Sequence, residues 1–263
     1  MRTLAYWAFT ANKKGLLNPL VLGRTVGYMP KFMGQFQDLK NDAGSRGVAI
    51  KIKDVFPVAL DYSVNHVNRH YWFQDIHVAQ KVIDGSRGKP DHLHIDIGSR
   101  IEGFILALIA ARINLVFGEI NMPKIAFENT ELRFIDLQNM SPEQFAGATS
   151  VSCLHVIEHL GLGKYGDAID ALGHFKVFSD FARVLGPGVP LYVSSPTSNE
   201  PGVVFNAGRH LDPVEMYQEA EKAGFTVLEK AFVTSAWSLL IDPSDEEMRA
   251  DPYGCLILTL IKR

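Results

Sequence analysis

Cysteine is scarce: Cys153 and Cys255 are the only two in 263 residues. Their placement forms neither a C-x-x-C pair nor a zinc-ligand spacing, which excludes a disulfide framework and a cysteine-encoded metal motif. Both lie in apolar runs, SVSCL and YGCLILTLI, and are expected as buried, reduced thiols. That expectation points to a reducing, cytoplasmic setting. An excess of basic charge is also lacking. With 26 Lys and Arg against 29 Asp and Glu, the net charge is −3 and the pI near 6.3. This excludes a nucleic-acid binder that relies on bulk charge, so no nucleic-acid partner is expected. No apolar run reaches the ~18–20 residues of a membrane span. The longest, FILALIAARINLVF, is interrupted by Arg112 and Asn114. The first residues, MRTLAYWAFTANKKG, have a short apolar stretch and no small-x-small cleavage site before Lys13 and Lys14, so they do not read as a secretion signal. They read instead as a helix packed on the domain, or as a surface helix, a partner-docking segment or a membrane-edge contact. Internal repeats and low-complexity tracts are missing too.

What is present is a chain of 47% hydrophobic and 21% charged residues, enough for one large α/β domain with an extension. Residues 1–60 form the extension. Gly and Pro recur there, the segment reads as irregular, and NDAGSRG (41–47) reads as a flexible loop. It is a candidate surface for homo-oligomerisation. From residue 61 onward the pattern is regular. Apolar positions at Trp72, Phe73, Ile76, Ala79, Val82 and Ile83 predict a helix over 70–84. Strands are then predicted at 93–97, 114–119, 132–135, 150–154 and 190–194, with helices at 101–112, 174–185 and 213–223 and a short helix opened by Pro142–Phe145. Gly224 suits the helix C-terminus before it. The last two strands, 225–233 and 253–261, are joined by IDPSDEEMRADP, which reads as turn-rich and helix-free. Alternating strands and helices imply a parallel sheet covered on both faces, and the last pair implies antiparallel closure. The plan is an α/β fold of the class I methyltransferase type: a Rossmann-like, seven-stranded, mostly parallel sheet with a terminal antiparallel β-hairpin.

In such sheets ligands sit at the carboxyl ends of the strands. The first strand ends in Asp96, Gly98, Ser99 and Arg100, and Gly98 lets the backbone approach a ligand. The second ends in Glu119, 23 residues after Asp96, placed to accept ribose hydroxyls. The third ends in Asp136 and Leu137, an acceptor for an adenine amino group beside an apolar wall. Each acid read alone is equally a helix cap or dipole partner; three at consecutive strand ends favour a cofactor. A carboxylate there repels a pyrophosphate and welcomes the cationic S-adenosylmethionine. A dinucleotide fingerprint laid on 96–101 would need glycine where Asp96 and Ile101 stand.

The acceptor side is expected beyond the fourth and fifth strands. His155 follows the fourth strand and is a candidate general base. His159, at i, i+4, is a second catalytic candidate, or a half-buried histidine packed under a loop. HVIEH is not H-E-x-x-H, so no metal site is read there. The loop 161–173, carrying Tyr165, suits a lid. Asn206, Arg209 and His210 are candidate substrate ligands or plain turn and cap residues. Tyr71 and Gln74, on the helix before the first strand, are candidates to close over the cofactor.

The segments DIGSR, SCLHVIEHL and VLGPGVPLYVSSP resemble S-adenosylmethionine-dependent methyltransferases. More closely, HYWFQDIHVAQKVI, DIGSRIEGF, SCLHVIEHLGLGKYGD, FNAGRH and PYGCLILTLIK resemble the DUF268 family over about residues 60–263. The resemblance implies a methyltransferase-like fold, S-adenosylmethionine as cofactor, a small-molecule or glycan acceptor and a link to surface-polysaccharide synthesis. Two departures stand out. The glycine-rich loop is reduced to D-I-G-S-R-I-E-G, with Arg100 where a second glycine is usual, and the L-x-P-G-G turn is LGPGV. Arg100 will either meet the cofactor's carboxylate or fill part of the pocket. The alternative is therefore a non-catalytic, methyltransferase-like binding module.

Overall fold

The computed structural model describes residues 19–45, 68–124, 127–163, 168–204 and 208–263. It divides into two units, Met1–His66 and Val67–Arg263. The first contains α1 (Pro19–Ser45), a helix of 27 residues. This corrects the irregular reading of the extension and of residues 41–45. Gly23, Gly27 and Pro30 lower helix propensity, but side chains one turn apart offset it. Gln37 donates to Asn41 at 2.8 Å, and the Lys31 ammonium lies 5.7 Å from the Tyr28 ring centre. The first 18 residues lie outside the described residues.

The second unit opens with α2 (Arg69–Ser86), whose N-terminus is capped by the Asn68 side chain accepting from the His70 N–H. There follow β1 (Leu93–Ile97), α3 (Gly103–Ala110), β2 (Asn114–Glu119), β3 (Thr130–Phe134), a 3-10 turn (Pro142–Phe145) and β4 (Ser150–Leu154). Beyond a second 3-10 turn (Ile157–His159) come α4 (Gly173–Val184), β5 (Pro190–Thr197), β6 (Gly202–Val204), β7 (Gly208–His210) and α5 (Pro213–Lys222). The chain continues through β8 (Phe225–Val233), β9 (Leu239–Ile241), α6 (Asp245–Ala250) and β10 (Gly254–Lys262).

The sheet order is β3-β2-β1-β4-β5-β10-β8-β9. β1 to β5 run parallel, and β10 inserts antiparallel between β5 and β8. This is the class I methyltransferase plan expected from the sequence, extended to eight strands by β9 at the edge. The connection from β8 to β10 is not helix-free. Ser244 and Glu247 form a capping box, each accepting the other's backbone N–H, and this starts α6. The polar stretch after β5 also gains order, as the β6–β7 hairpin.

Period-two alternation builds a core on each face of the sheet. Ile95, Ile97, Val151, Cys153, Leu191, Val193 and Leu256 pack toward α4 and α5. Leu115, Phe117, Leu154, Cys255 and Ile257 pack toward α2 and α3. Both cysteines are buried and free. Between β1 and β4 runs a polar seam: His94 bonds the hydroxyls of Ser150 and Ser152 at 2.7 and 2.9 Å. Burial pushes the His94 pKa down to about 3.

Candidate functional site

A cavity of about 350 Å³ opens at the carboxyl ends of β1, β2, β3 and β4. The turn after β1 forms its floor. Gly98 has φ +71, and a side chain there would press on Val156 at 3.1 Å; its N–H bonds the Gly118 carbonyl at 2.9 Å. Glycine is therefore required both for the conformation and for the space. Gly103 has a different duty. An added Cβ would overlap the Asp75 carboxylate, so this glycine lets α3 close on α2.

Of the three strand-end acids, Glu119 and Asp136 line the cavity, together with Leu137. Glu119 Oε1 accepts the N–H groups of Ile120 and Asn121 at 2.8 and 3.2 Å. Asp136 accepts from Gln138 N–H at 2.9 Å and from the Asn139 amide at 2.7 Å. Both acids therefore shape their turns and face the cavity at once. Asp96 does not reach it. Its carboxylate is fully buried and accepts from the Ser99 hydroxyl at 2.6 Å, the Ser99 N–H at 3.2 Å and the Ser152 hydroxyl at 2.5 Å. Burial pushes its pKa up to about 7, against those hydrogen bonds. Asp96 and Ser99 thus brace the turn from below.

Arg100 and Tyr71 form one wall. The guanidinium lies 5.0 Å from the Tyr71 ring centre and pairs with Glu102 at 2.8 Å. Gln74, expected beside Tyr71, is instead buried: it accepts from the Ser194 hydroxyl and donates to Asp75 at 3.1 Å, tying α2 to β5. The helix period explains the split, since residues three apart lie on one face at different depths.

His155, whose ring lies 4.8 Å from that of Tyr71, and His159 also line the cavity. His155 sits at φ +56, an uncommon conformation for a residue with a side chain. Its Nδ1 meets Glu158 Oε1 at 3.1 Å, and its Nε2 lies 3.5 Å from Cys255 Sγ. Burial disfavours charge on this ring, but the Cys255 sulfur and the Glu158 carboxylate outweigh burial and raise its pKa well above the usual imidazole range. Both nitrogens are engaged with protein atoms, an arrangement the single-residue reading of His155 did not contain. His159 is less enclosed, with 23% of its side chain exposed and Nε2 3.9 Å from Glu158. His70, behind His155, has its pKa lowered to about 3 by burial and by its neighbours His155 and Arg69.

Arg209 and His210 lie away from the cavity lining. Arg209 is buried and donates to the carbonyls of Leu160 at 2.6 Å, Ala171 at 3.2 Å and Asp170 at 3.3 Å. It pins the two ends of the loop between β4 and α4. The His210 ring packs on Tyr253 at 4.9 Å. Tyr165 and Asn206 lie outside the described residues. The lining also includes Gly118, Ile120, Asn121, Val156 and Leu160. All but Leu160, which follows the 3-10 turn after β4, adjoin a strand end, so the strand boundaries were the signal for them. Among the described residues, no helix is long and apolar enough to cross a membrane.

No curated protein matches this chain in sequence. Solved structures resemble it in fold. The mitomycin 7-O-methyltransferase MmcR aligns at 15% identity and a TM-score of 0.46, over 72% of this chain and 54% of that one. Phosphoethanolamine N-methyltransferase 2 of Haemonchus contortus, in complex with phosphomonomethylethanolamine and S-adenosylhomocysteine, aligns at 14% and 0.50, over 73% and 52%. The N-terminal domain of EvdMO1, in the presence of S-adenosylhomocysteine and D-fucose, aligns at 13% and 0.47, over 81% and 90%. The chain spans about half the length of the first two. Residues 129–229 match the family described as "Caenorhabditis protein of unknown function, DUF268". This chain therefore carries a DUF268 match on the fold of the class I methyltransferases.

Proposed function

We propose that the protein is an S-adenosylmethionine-dependent methyltransferase that O-methylates a sugar or another small hydroxylated acceptor, such as a surface-polysaccharide precursor. One observation carries the reading: the cavity at the carboxyl ends of β1 to β4, with the Gly98 turn as floor and Glu119 and Asp136 on its wall. Its size falls within the range of small-ligand pockets. The Haemonchus enzyme of the same fold was solved with S-adenosylhomocysteine.

The cofactor, when bound, supplies an electrophilic methyl group. Glu119 would accept the ribose hydroxyls through Oε2, and Asp136 the adenine amino group, with Ile120 and Leu137 as apolar walls. Arg100, held against Tyr71, would meet the methionine carboxylate. Asp96, Ser99 and Gln74 act indirectly, by fixing the turn and α2. The acceptor hydroxyl would enter beside His159, which takes its proton at a ring nitrogen. His155 positions Glu158 and Tyr71 in this scheme, because both its ring nitrogens are already engaged. Isothermal calorimetry with S-adenosylmethionine tests the reading: binding is expected, weakened about tenfold or more by Asp136→Ala, as a lost charge-assisted hydrogen bond implies. Folded protein that shows no heat of binding would sink it.

A second reading, a binding module without turnover, is favoured by the Arg100–Tyr71 contact, which narrows the cavity where a second glycine is usual. Methyl transfer to any hydroxylated acceptor rules it out.

A further inference from the structure

Behind the cavity wall, three metal-ligating side chains converge from distant parts of the chain. His70 comes from the first turn of α2, His155 from the residue after β4 and Cys255 from β10. Each offers one ligand atom, and these atoms lie within 4.8 Å of one another. None of the spacings is a metal motif in sequence; the fold alone assembles them. We infer that His70, His155 and Cys255 form a zinc site, which shares His155 with the wall of the cavity but does not rest on the methyl-transfer reading.

Four observations support this. First, His70 is 2% exposed, and its Nε2 is a buried polar atom with no hydrogen-bond partner. A buried lone pair left unsatisfied is costly and calls for an explanation, of which an ion is one. Second, the His155 Nε2–Cys255 Sγ distance is 3.5 Å. Tetrahedral zinc with bonds of about 2.3 Å to sulfur and about 2.0–2.1 Å to nitrogen sets these two atoms about 3.5 Å apart. Third, the far nitrogen of His155 is already held. Glu158 is buried and holds His155 Nδ1 at 3.1 Å, which turns Nε2 toward the sulfur. A carboxylate on the far nitrogen of a ligating imidazole is the recurrent arrangement around zinc. Fourth, the donor set of one thiolate and two imidazoles suits zinc over the hard cations, which take oxygen.

Binding would displace the Cys255 thiol proton and the proton at His155 Nε2 to solvent, and leave a fourth position for water. The ion would staple the start of α2 to the centre of the sheet, beside the wall formed by Tyr71 and His155.

The full-length chain, stripped with a chelator and reloaded with Zn²⁺ or Co²⁺ alone, provides the test. One zinc per chain is expected by elemental analysis after desalting. The cobalt form should show thiolate-to-metal charge transfer and the strong visible bands of a tetrahedral ion. Cys255→Ser should abolish the charge transfer, and Cys153→Ser, at the other buried thiol, should retain it. Glu158→Gln should weaken zinc about 10- to 100-fold. Folded wild-type protein without stoichiometric zinc, or a charge-transfer band that survives Cys255→Ser, overturns the site. Tight copper with no zinc overturns the metal assignment. Should Cys255→Ser fail to fold, X-ray absorption on the wild-type zinc form decides: one sulfur and two imidazoles are expected, and any other first shell refutes the site.

Discussion

Single residues near the cavity do double work. Arg100 stands where the sequence suggested either a grip on the cofactor or an obstruction. Its contact with Tyr71 and its pairing with Glu102 hold the guanidinium at the wall, half-exposed. In the gripping role, Arg100→Ala weakens S-adenosylmethionine about tenfold or more and leaves adenosine affinity unchanged, as calorimetry with both ligands would show. An unchanged affinity for both ligands would assign the residue to the wall alone. His159→Ala should lower kcat about 10²- to 10⁴-fold with cofactor affinity intact, the range of a lost general base. These residues were nominated from sequence because strand ends carry ligands. The same logic nominated Asp96, whose side chain points instead into the polar seam beside β4. Nothing local to D-I-G-S-R distinguishes the two directions. Ser152, which receives the Asp96 carboxylate, is 56 residues away.

Elements meet through a few exact fits. α2 and α3 approach at Gly103, against Asp75, which is itself held by Gln74. Burial raises the Asp75 pKa, opposed by hydrogen bonds from Gln74 and the Phe104 backbone. Gly103→Ala forces Asp75 out of this arrangement and should destabilise the unit by about 1–3 kcal/mol, the usual cost of overpacking. Urea unfolding with an unchanged m-value would register it. The elements themselves were largely legible: hydrophobic period and Gly or Pro punctuation located α2, β1, β2, β4, α4, α5 and β8 within a few residues. α6 and the β6–β7 hairpin were not. They are short and polar, so no apolar stripe announces them, and the Ser244–Glu247 capping box lay inside a run read for its acids and prolines. α1 was missed for the opposite reason, because its glycines and proline outvoted its side-chain pairs.

For the whole molecule, buried titratable groups set the response to acid. His70, His94 and His174 have pKa values lowered by burial to about 3, 3 and 4. Between those values and the ordinary 6.5 the unfolded chain binds protons that the native state refuses, so each histidine removes stability as pH falls. Asp96, raised to about 7, has the opposite sign: it keeps a proton that the unfolded chain has lost, and favours the native state as pH falls through 7 toward 4. His92, also lowered by burial, acts with the histidines, and Asp75, also raised, acts with Asp96, so four groups against two leave a net loss. Denaturation midpoints should drop between pH 6.5 and 4, with a limiting slope of about 3 kcal/mol per pH unit. Asp96→Asn removes one opposing group and should steepen that fall; an unchanged slope would show that Asp96 is ionised at neutrality.

The sequence by itself determined the order of elements, the parallel sheet with an antiparallel close, and the turns at which a ligand would lie, because periodicity and turn chemistry act over a few residues. Only the tertiary structure decided which strand-end acids face the cavity, that Arg209 spends its donors on loop carbonyls, and that His70, His155 and Cys255 converge. Those outcomes depend on how β1, β4 and β10 align and how α2 crosses them, across separations of tens to nearly two hundred residues.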